Sequence, residues 1–286
     1  MSYKNPNALV STAWLGEHMS APDVRIVDAS WHMPAANRDP AQEFNDQHIP
    51  GAVFFDIDTV VDSSTDLPHM LPSPEKFSST VRKMGLGDGN RIIVYDNNMG
   101  MAAHRLWWML RVFGHEDVAV LDGGLSKWVA EGRAAEDMAD KVGRRHFTGL
   151  MNNTIVRSKE QMLNNLKSSR EQIIDARSTG RFNGSEPEPR AGLRSGHIPG
   201  SINIPFQNIM DINHHAVMRP AAELQKVFDE AGLDLSRPVV ASCGSGVTAA
   251  CLALALHLIG KDDVAIYDGS WTEWGGDESC PIETGD

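Results

Sequence analysis

The chain repeats itself once, and that repetition limits the folds open to it more than any other feature. "RIVDAS" at residues 25–30 returns as "QIIDAR" at 172–177, which puts Asp28 and Asp175 147 residues apart. "HIPGAV" from His48 returns as "HIPGSI" from His197 after 149 residues, and "DVAVLDGGLSKW" from Asp117 as "DVAIYDGSWTEW" from Asp263 after 146. Landmarks in one order at nearly constant spacing imply duplication, so the 286 residues divide into two homologous domains. The stretch "MADKVGRRHFTGLMNNTIVR" at 138–157 shows no periodicity and takes the join, giving domains at 1–140 and 158–286 with a linker at 141–157.

Each half reads as α/β. "RIVDA", "AVFFDI", "RIIVYD" and "VAVLDG" are short, β-branched and apolar with little alternation, as strands covered on both faces are. Helical patterns such as "MAAHRLWWMLRVFG" lie between them. The alternation predicts a mainly parallel sheet with helices on both faces, twice over. Ligands of such sheets bind beyond the carboxyl ends of the strands.

"VVASCGSGVTAACLALALHLIG" at 239–260 places Cys243 at such an end, between a strand and a helical run. A helix N-terminus concentrates unpaired N–H groups and partial positive charge, and both favour the reactive thiolate. Gly244 and Gly246 let the loop wind tightly, so that its N–H groups can converge on one point near the sulfur. Overlaying the halves puts Asp96 where Cys243 stands, so the chemistry survives in one half only. An unpaired buried carboxylate would be costly, which predicts that both positions face a cleft or loop.

The duplicated "HIPG" and "DG…W" landmarks, the strand-to-loop cysteine in "CGSGVT" and the segment "GRFNGSEPEPR" together resemble the rhodanese family along essentially the whole chain. The resemblance implies two tandem rhodanese-like domains, an inactive first and an active second. It also implies a cysteine persulfide that takes sulfur from a donor and passes it on, with no cofactor. By the same resemblance Arg181 and Arg190 clamp the donor and Gly244, Gly246, Val247 and Thr248 line its site. Ser245, His69 of "PHMLP" and Asp58 of "FFDID" form a proton relay that reaches across from the inactive half. The competing structural reading of these three gives His69 a loop-stabilising role, Asp58 a turn cap and Ser245 a backbone role only.

Charge sharpens the donor. The net charge of −12 excludes a nucleic-acid or anionic-membrane partner, so an anionic ligand must be held by local arginines. Family members that act on dianionic thiosulfate carry basic residues within the loop, whereas this loop is uncharged. 3-Mercaptopyruvate, with one carboxylate and a ketone, fits better, with thioredoxin, a small thiol or cyanide as the expected acceptor. A thiosulfate:cyanide transferase and a non-catalytic sulfur carrier or docking module are the alternatives. A phosphatase is disfavoured, because the arginine its C-x5-R loop needs is replaced by Ala249.

Other residues read as structural. Three cysteines make no disulfide framework, no Cys/His group has zinc spacing, and no secretory leader is readable, so a cytoplasmic setting is expected. The longest apolar run, near 247–259, is too short to span a bilayer. Cys251 is expected as a buried hydrophobe, Cys280 as a frayed-tail residue and His48 and His197 as turn braces. Trp107, Trp108, Trp128 and Trp274 are expected in the core, and His214–His215 in a surface loop.

Overall fold

The computed structural model describes residues 2–139 and 142–285, so the proposed boundary at 140/141 lies outside the described residues. In the first half, strands β1 (Leu9–Val10), β2 (Val24–Asp28), β3 (Ala52–Phe54), β4 (Arg91–Tyr95) and β5 (Val118–Leu121) form one sheet in the order β1-β5-β4-β2-β3. The second sheet comprises β6 (Val156–Arg157), β7 (Gln172–Asp175), β8 (Ile202–Asn203), β11 (Val239–Ser242) and β12 (Val264–Tyr267), in the order β6-β12-β11-β7-β8. β9 (Met210–Asp211) and β10 (Val217–Met218) make a separate antiparallel ribbon. All pairs within the two large sheets are parallel, and the two orders are the same under the repeat. β6 closes the edge of the second sheet, so the range 141–157 ends inside that sheet.

The helices are α1 (Thr12–His18), α2 (Pro40–Asp46), α3 (Pro74–Lys83), α4 (Met101–Val112) and α5 (Gly124–Ala130), then α6 (Lys159–Ser168), α7 (Thr179–Asn183), α8 (Ala221–Glu230), α9 (Ala249–Leu258) and α10 (Ser270–Gly276). α4 and α9 follow the central strands β4 and β11 and are apolar nearly all round; only Arg111 and His257 escape full burial. A helix without a polar face must be covered on every side. Here the sheet covers one side and the other domain's helix the other, because α4 and α9 pack together. One hydrophobic cluster consequently runs from Val94 and Trp108 through Cys251 to Val264, joining the two domains. Truncating Trp107 or Trp108 to Ala in it costs about 3–5 kcal/mol.

The structural expectations fare well. Trp107, Trp108, Trp128 and Trp274 are buried, and His214 and His215 are exposed. His48 and His197 brace their turns through Nδ1 contacts to the Phe44 and Phe182 carbonyl oxygens at 2.6 and 2.8 Å, each stacked on that phenylalanine ring. Cys280 is a correction: it is 2% exposed and packs with Trp274 and Ile198. The tail folds back because Trp274 Nε1 donates to the Pro281 carbonyl and Glu283 pairs with His197. No helix among the described residues is long and apolar enough to cross a membrane, and none of their His, Cys, Asp and Glu groups gathers to hold a metal.

Candidate active site

The strand order of the second sheet runs outward in opposite directions from the β7/β11 pair. Cys243 is the first residue after β11 and sits at the crevice that such a reversal opens. Its N–H donates to Ser270 Oγ, and its carbonyl and that of Gly244 accept from the Trp271 and Thr272 N–H groups at the start of α10. These contacts fix one side of the loop. On the other side, the N–H groups of Gly244, Ser245, Gly246, Val247 and Thr248 have no acceptor among the described residues. Gly246 takes φ +76°, and a Cβ there would lie 2.9 Å from both Arg105 Nη1 and the Asp268 carbonyl, so only glycine fits.

The loop of the first half shows what this geometry is for. Asp96 directly follows β4 as Cys243 follows β11, and its Oδ1 accepts from the Asn98 and Gly100 N–H groups at 2.9 and 2.8 Å. Its Oδ2 accepts from Ala102 and Ala103 at 2.9 and 3.0 Å. Both positions face their loops, and both are nearly covered by them, Asp96 being 2% and Cys243 1% exposed. Burial pushes the Asp96 carboxyl pKa up, and the four N–H groups oppose it, so the buried carboxylate is fully partnered.

Two arginines stand over the Cys243 loop. A Cβ on Gly244 would lie 3.0 Å from Arg181 Nη2, so the missing side chain eases the approach of that guanidinium group, while Arg190 Nη1, at 3.9 Å, would be at ordinary contact distance. Arg181 sits in the first turn of α7, whose N-cap Ser178 accepts from the Arg181 N–H. Its guanidinium is not free: Nη2 donates to Glu188 Oε2 at 2.6 Å. Glu188 is itself buried, shared with Arg177 Nη1 at 2.7 Å, and Arg177 grips Asp175. Sequence reasoning missed Glu188 and Arg177, although both lie within "DARSTGRFNGSEPEPR". Burial, with the Arg181 charge beside it, holds the Arg190 pKa below its ordinary value.

Ser245, His69 and Asp58 form one chain of contacts between the domains. His69 comes from the connection between β3 and α3, with φ +63°, a costly conformation for a residue with a Cβ. Its Nδ1 lies 2.9 Å from Ser245 Oγ, and its Nε2 lies 2.8 Å from Asp58 Oδ1. His69 is buried and Asp58 is largely exposed, its side chain 59% accessible. Trp31 donates Nε1–H to both Asp58 oxygens and meets the His69 ring edge-on, 5.0 Å between centroids. Burial lowers the His69 pKa; Asp58 opposes that, while Arg105 and Arg190 add to it. Burial works against ionisation of Asp58, but the contacts from His69 and Trp31 outweigh it and hold the carboxyl below its ordinary value. Neutral His69 with Nε2–H facing Asp58 leaves Nδ1 to accept the Ser245 hydroxyl.

Cys251 is fully buried in α9, where burial pushes its thiol pKa well up; its Sγ touches His104 Nδ1 at 3.3 Å across the domain interface. Val247 is buried, and Thr248 takes the N-cap position of α9 without a side-chain cap bond.

Comparison with known proteins places this architecture. Residues 11–131 and 158–277 each match the rhodanese-like domain. The chain is 43% identical to thiosulfate/3-mercaptopyruvate sulfurtransferase 1, mitochondrial, of Arabidopsis thaliana, over 99% of this chain and 80% of that one. It is 42% identical to human 3-mercaptopyruvate sulfurtransferase, over 93% and 91% of the two chains. Among solved structures, the 3-mercaptopyruvate sulfotransferase SseA of Escherichia coli superposes with a TM-score of 0.85 at 39% identity, covering 92% of this chain and 98% of that one. With both halves matched and a single cysteine loop between them, the chain belongs to the rhodanese-like family, in its two-domain form.

Proposed function

We propose that the protein is a sulfurtransferase that takes sulfur from 3-mercaptopyruvate onto Cys243 and passes it to a thiol or cyanide, releasing pyruvate. The observation that carries this reading is the Asp58–His69–Ser245 chain ending at an uncharged cysteine loop overlooked by Arg181 and Arg190. The donor carboxylate binds Arg190 and the outer edge of Arg181, whose charge is already shared with Glu188. One unshared cation matches one carboxylate better than the dianion of thiosulfate.

The relay serves the leaving group. Cys243 attacks the donor sulfur as a thiolate, the form that the partial positive charge at the start of a helix favours. A sulfur–sulfur bond forms, the carbon–sulfur bond breaks, and the electron pair leaves as the enolate of pyruvate. The proton of the donor thiol passes through Ser245 and His69 to the enolate carbon, so the product is pyruvate, the persulfide is left as an anion and no outside acid is consumed. The persulfide then lies where the loop can hold it. Its outer sulfur stands two bonds from Cβ, as the Asp96 oxygens do, and those oxygens collect four N–H groups in the matching loop. Under the repeat those donors match the N–H groups of Ser245, Val247, Ala249 and Ala250; Ser245 and Val247 hold theirs free among the described residues, while Ala250 donates to the Val247 carbonyl at 3.2 Å.

A cytoplasmic setting, which three free cysteines suit, and a thioredoxin, small-thiol or cyanide acceptor belong to the same proposal. Steady-state kinetics with both donors test the reading. Mercaptopyruvate is expected to exceed thiosulfate in kcat/KM by about 2–3 kcal/mol, the scale of a charged hydrogen bond left unpaired. Equal efficiency would make the loop-charge argument wrong and favour the thiosulfate reading.

A further inference from the structure

The relay residue His69 belongs to the first domain and its partner Ser245 to the second, so their 2.9 Å contact depends on what fixes one domain against the other. One ion pair, Arg105 with Asp268, does this at the site. Arg105, on α4 of the first domain, is wholly buried, its guanidinium carbon over the Trp108 ring and 4.5 Å from the centroid. Its Nη2 donates to the His69 carbonyl at 2.6 Å and to Asp268 Oδ1 at 2.7 Å, and its Nη1 to the Gly246 carbonyl at 3.2 Å. Asp268 Oδ2 in turn accepts from the Leu71 N–H at 2.8 Å, two residues beyond His69. The backbone on both sides of His69 and the loop around Ser245 are therefore held by one ion pair.

The repeat supplies an internal comparison. Asp268 corresponds to Asp122, 146 residues earlier, and Asp122 accepts from Met218, which is Leu71 shifted by 147. His69 corresponds to Ala216, which also has positive φ, at +53°. The carboxylate, the N–H it accepts and the left-handed residue therefore occur on both sides of the molecule. The arginine does not: the residue matching Arg105 is Leu252. A device needed only to join the domains would be kept on both sides, as the carboxylate is. One found only beside the cysteine loop serves that loop.

We infer that Arg105, oriented by Asp268, is a positioning residue that sets His69 against Ser245 for proton delivery. This rests on the proposed relay. The charge-neutral variant Arg105→Leu/Asp268→Asn copies the leucine of the other side and avoids a lone buried charge; Arg105→Lys keeps the charge but gathers on one nitrogen the donors that Arg105 spreads over two. Both are measured for kcat and KM on mercaptopyruvate and thiosulfate, alone and in a His69→Ala background. The expected result is a fall in mercaptopyruvate kcat on the order of tenfold or more in the neutral variant and a smaller fall with Lys. KM and thiosulfate turnover should stay within about threefold, because sulfite leaves without a proton on carbon. In the His69→Ala background the Arg105 changes should cost little more, since residues acting as one unit are not additive. Equal loss on both donors, or full additional loss in the His69→Ala background, would overturn the inference and make Arg105 a structural residue. Wild-type turnover by both variants, with His69→Ala slow, would overturn it while leaving the relay intact. Wild-type turnover by His69→Ala itself would remove the relay and this inference with it.

Discussion

Replacing His69 with Ala separates proton delivery from structure. The substitution removes two contacts, of 2.9 Å to Ser245 and 2.8 Å to Asp58. Asp58 is largely exposed and keeps the Trp31 donor, so water replaces what it loses. Ser245 is 4% exposed and loses its partner, which costs about 1–3 kcal/mol, and the vacated ring adds a cavity cost of similar size. For a chain of this length each kcal/mol lowers Tm by about 2–4 °C, so the variant should fold with a Tm lower by several degrees. The kinetic effect should be larger: general acid–base catalysis is worth about 10²–10⁴-fold, and that factor should leave mercaptopyruvate kcat with little change in KM. The assay is pyruvate release with mercaptopyruvate beside thiocyanate formation from thiosulfate and cyanide. Thiosulfate turnover should survive, because sulfite is a stable leaving group. Equal slowing with both donors would refute the relay and leave His69 as a support for the loop.

Arg190→Ala should mainly raise KM for mercaptopyruvate, since the carboxylate is held before and after sulfur departs, with kcat falling only as far as orientation suffers. A large fall in kcat at unchanged KM would place Arg190 in the chemical step. Asp96→Ala leaves four loop N–H groups without acceptors and should lower stability by at least about 2–3 kcal/mol in urea unfolding, while kcat at Cys243 stays within about twofold. Unchanged stability would contradict the account of the first loop. His104 supplies a pH test: burial pushes its pKa down to about 4, so the unfolded chain binds its proton first. Its contribution is present above the ordinary histidine value near 6.5 and is lost as pH falls toward about 4, on the order of 3 kcal/mol. His104→Gln should flatten the stability–pH curve in that window, and an unchanged slope would show that His104 does not cause it.

What was legible in the sequence follows from which physical signals are local. β2, β4, β5, β11 and β12 are short apolar runs that must be buried on both faces, and the repeat fixed their order twice. Two-residue strands such as β6 and β8 carry no periodicity and were invisible. Cys243, Ser245, Arg181 and Arg190 lay in motifs, and His69 and Asp58 came from the family resemblance. Arg105 gave no such signal. In "MAAHRLWW" it looks like an ordinary helix cation, and its acceptors are two backbone carbonyls and a carboxylate 163 residues away. Cys280 was misjudged because closeness to a chain end was weighed above "IYDGSWTEW", whose tryptophans draw the tail back onto the sheet.

The most direct test of the whole account is a single turnover followed on the protein itself. Enzyme in excess over mercaptopyruvate, quenched without an acceptor, should release one pyruvate for each sulfur gained by the protein, with the added mass on the peptide bearing Cys243. Cyanide or a thiol should then remove that mass. Cys243→Ser should fold, release no pyruvate and gain no mass. Pyruvate released by Cys243→Ser, or added sulfur found at Cys251 or Cys280 instead, would contradict the assignment of Cys243 as the sulfur carrier.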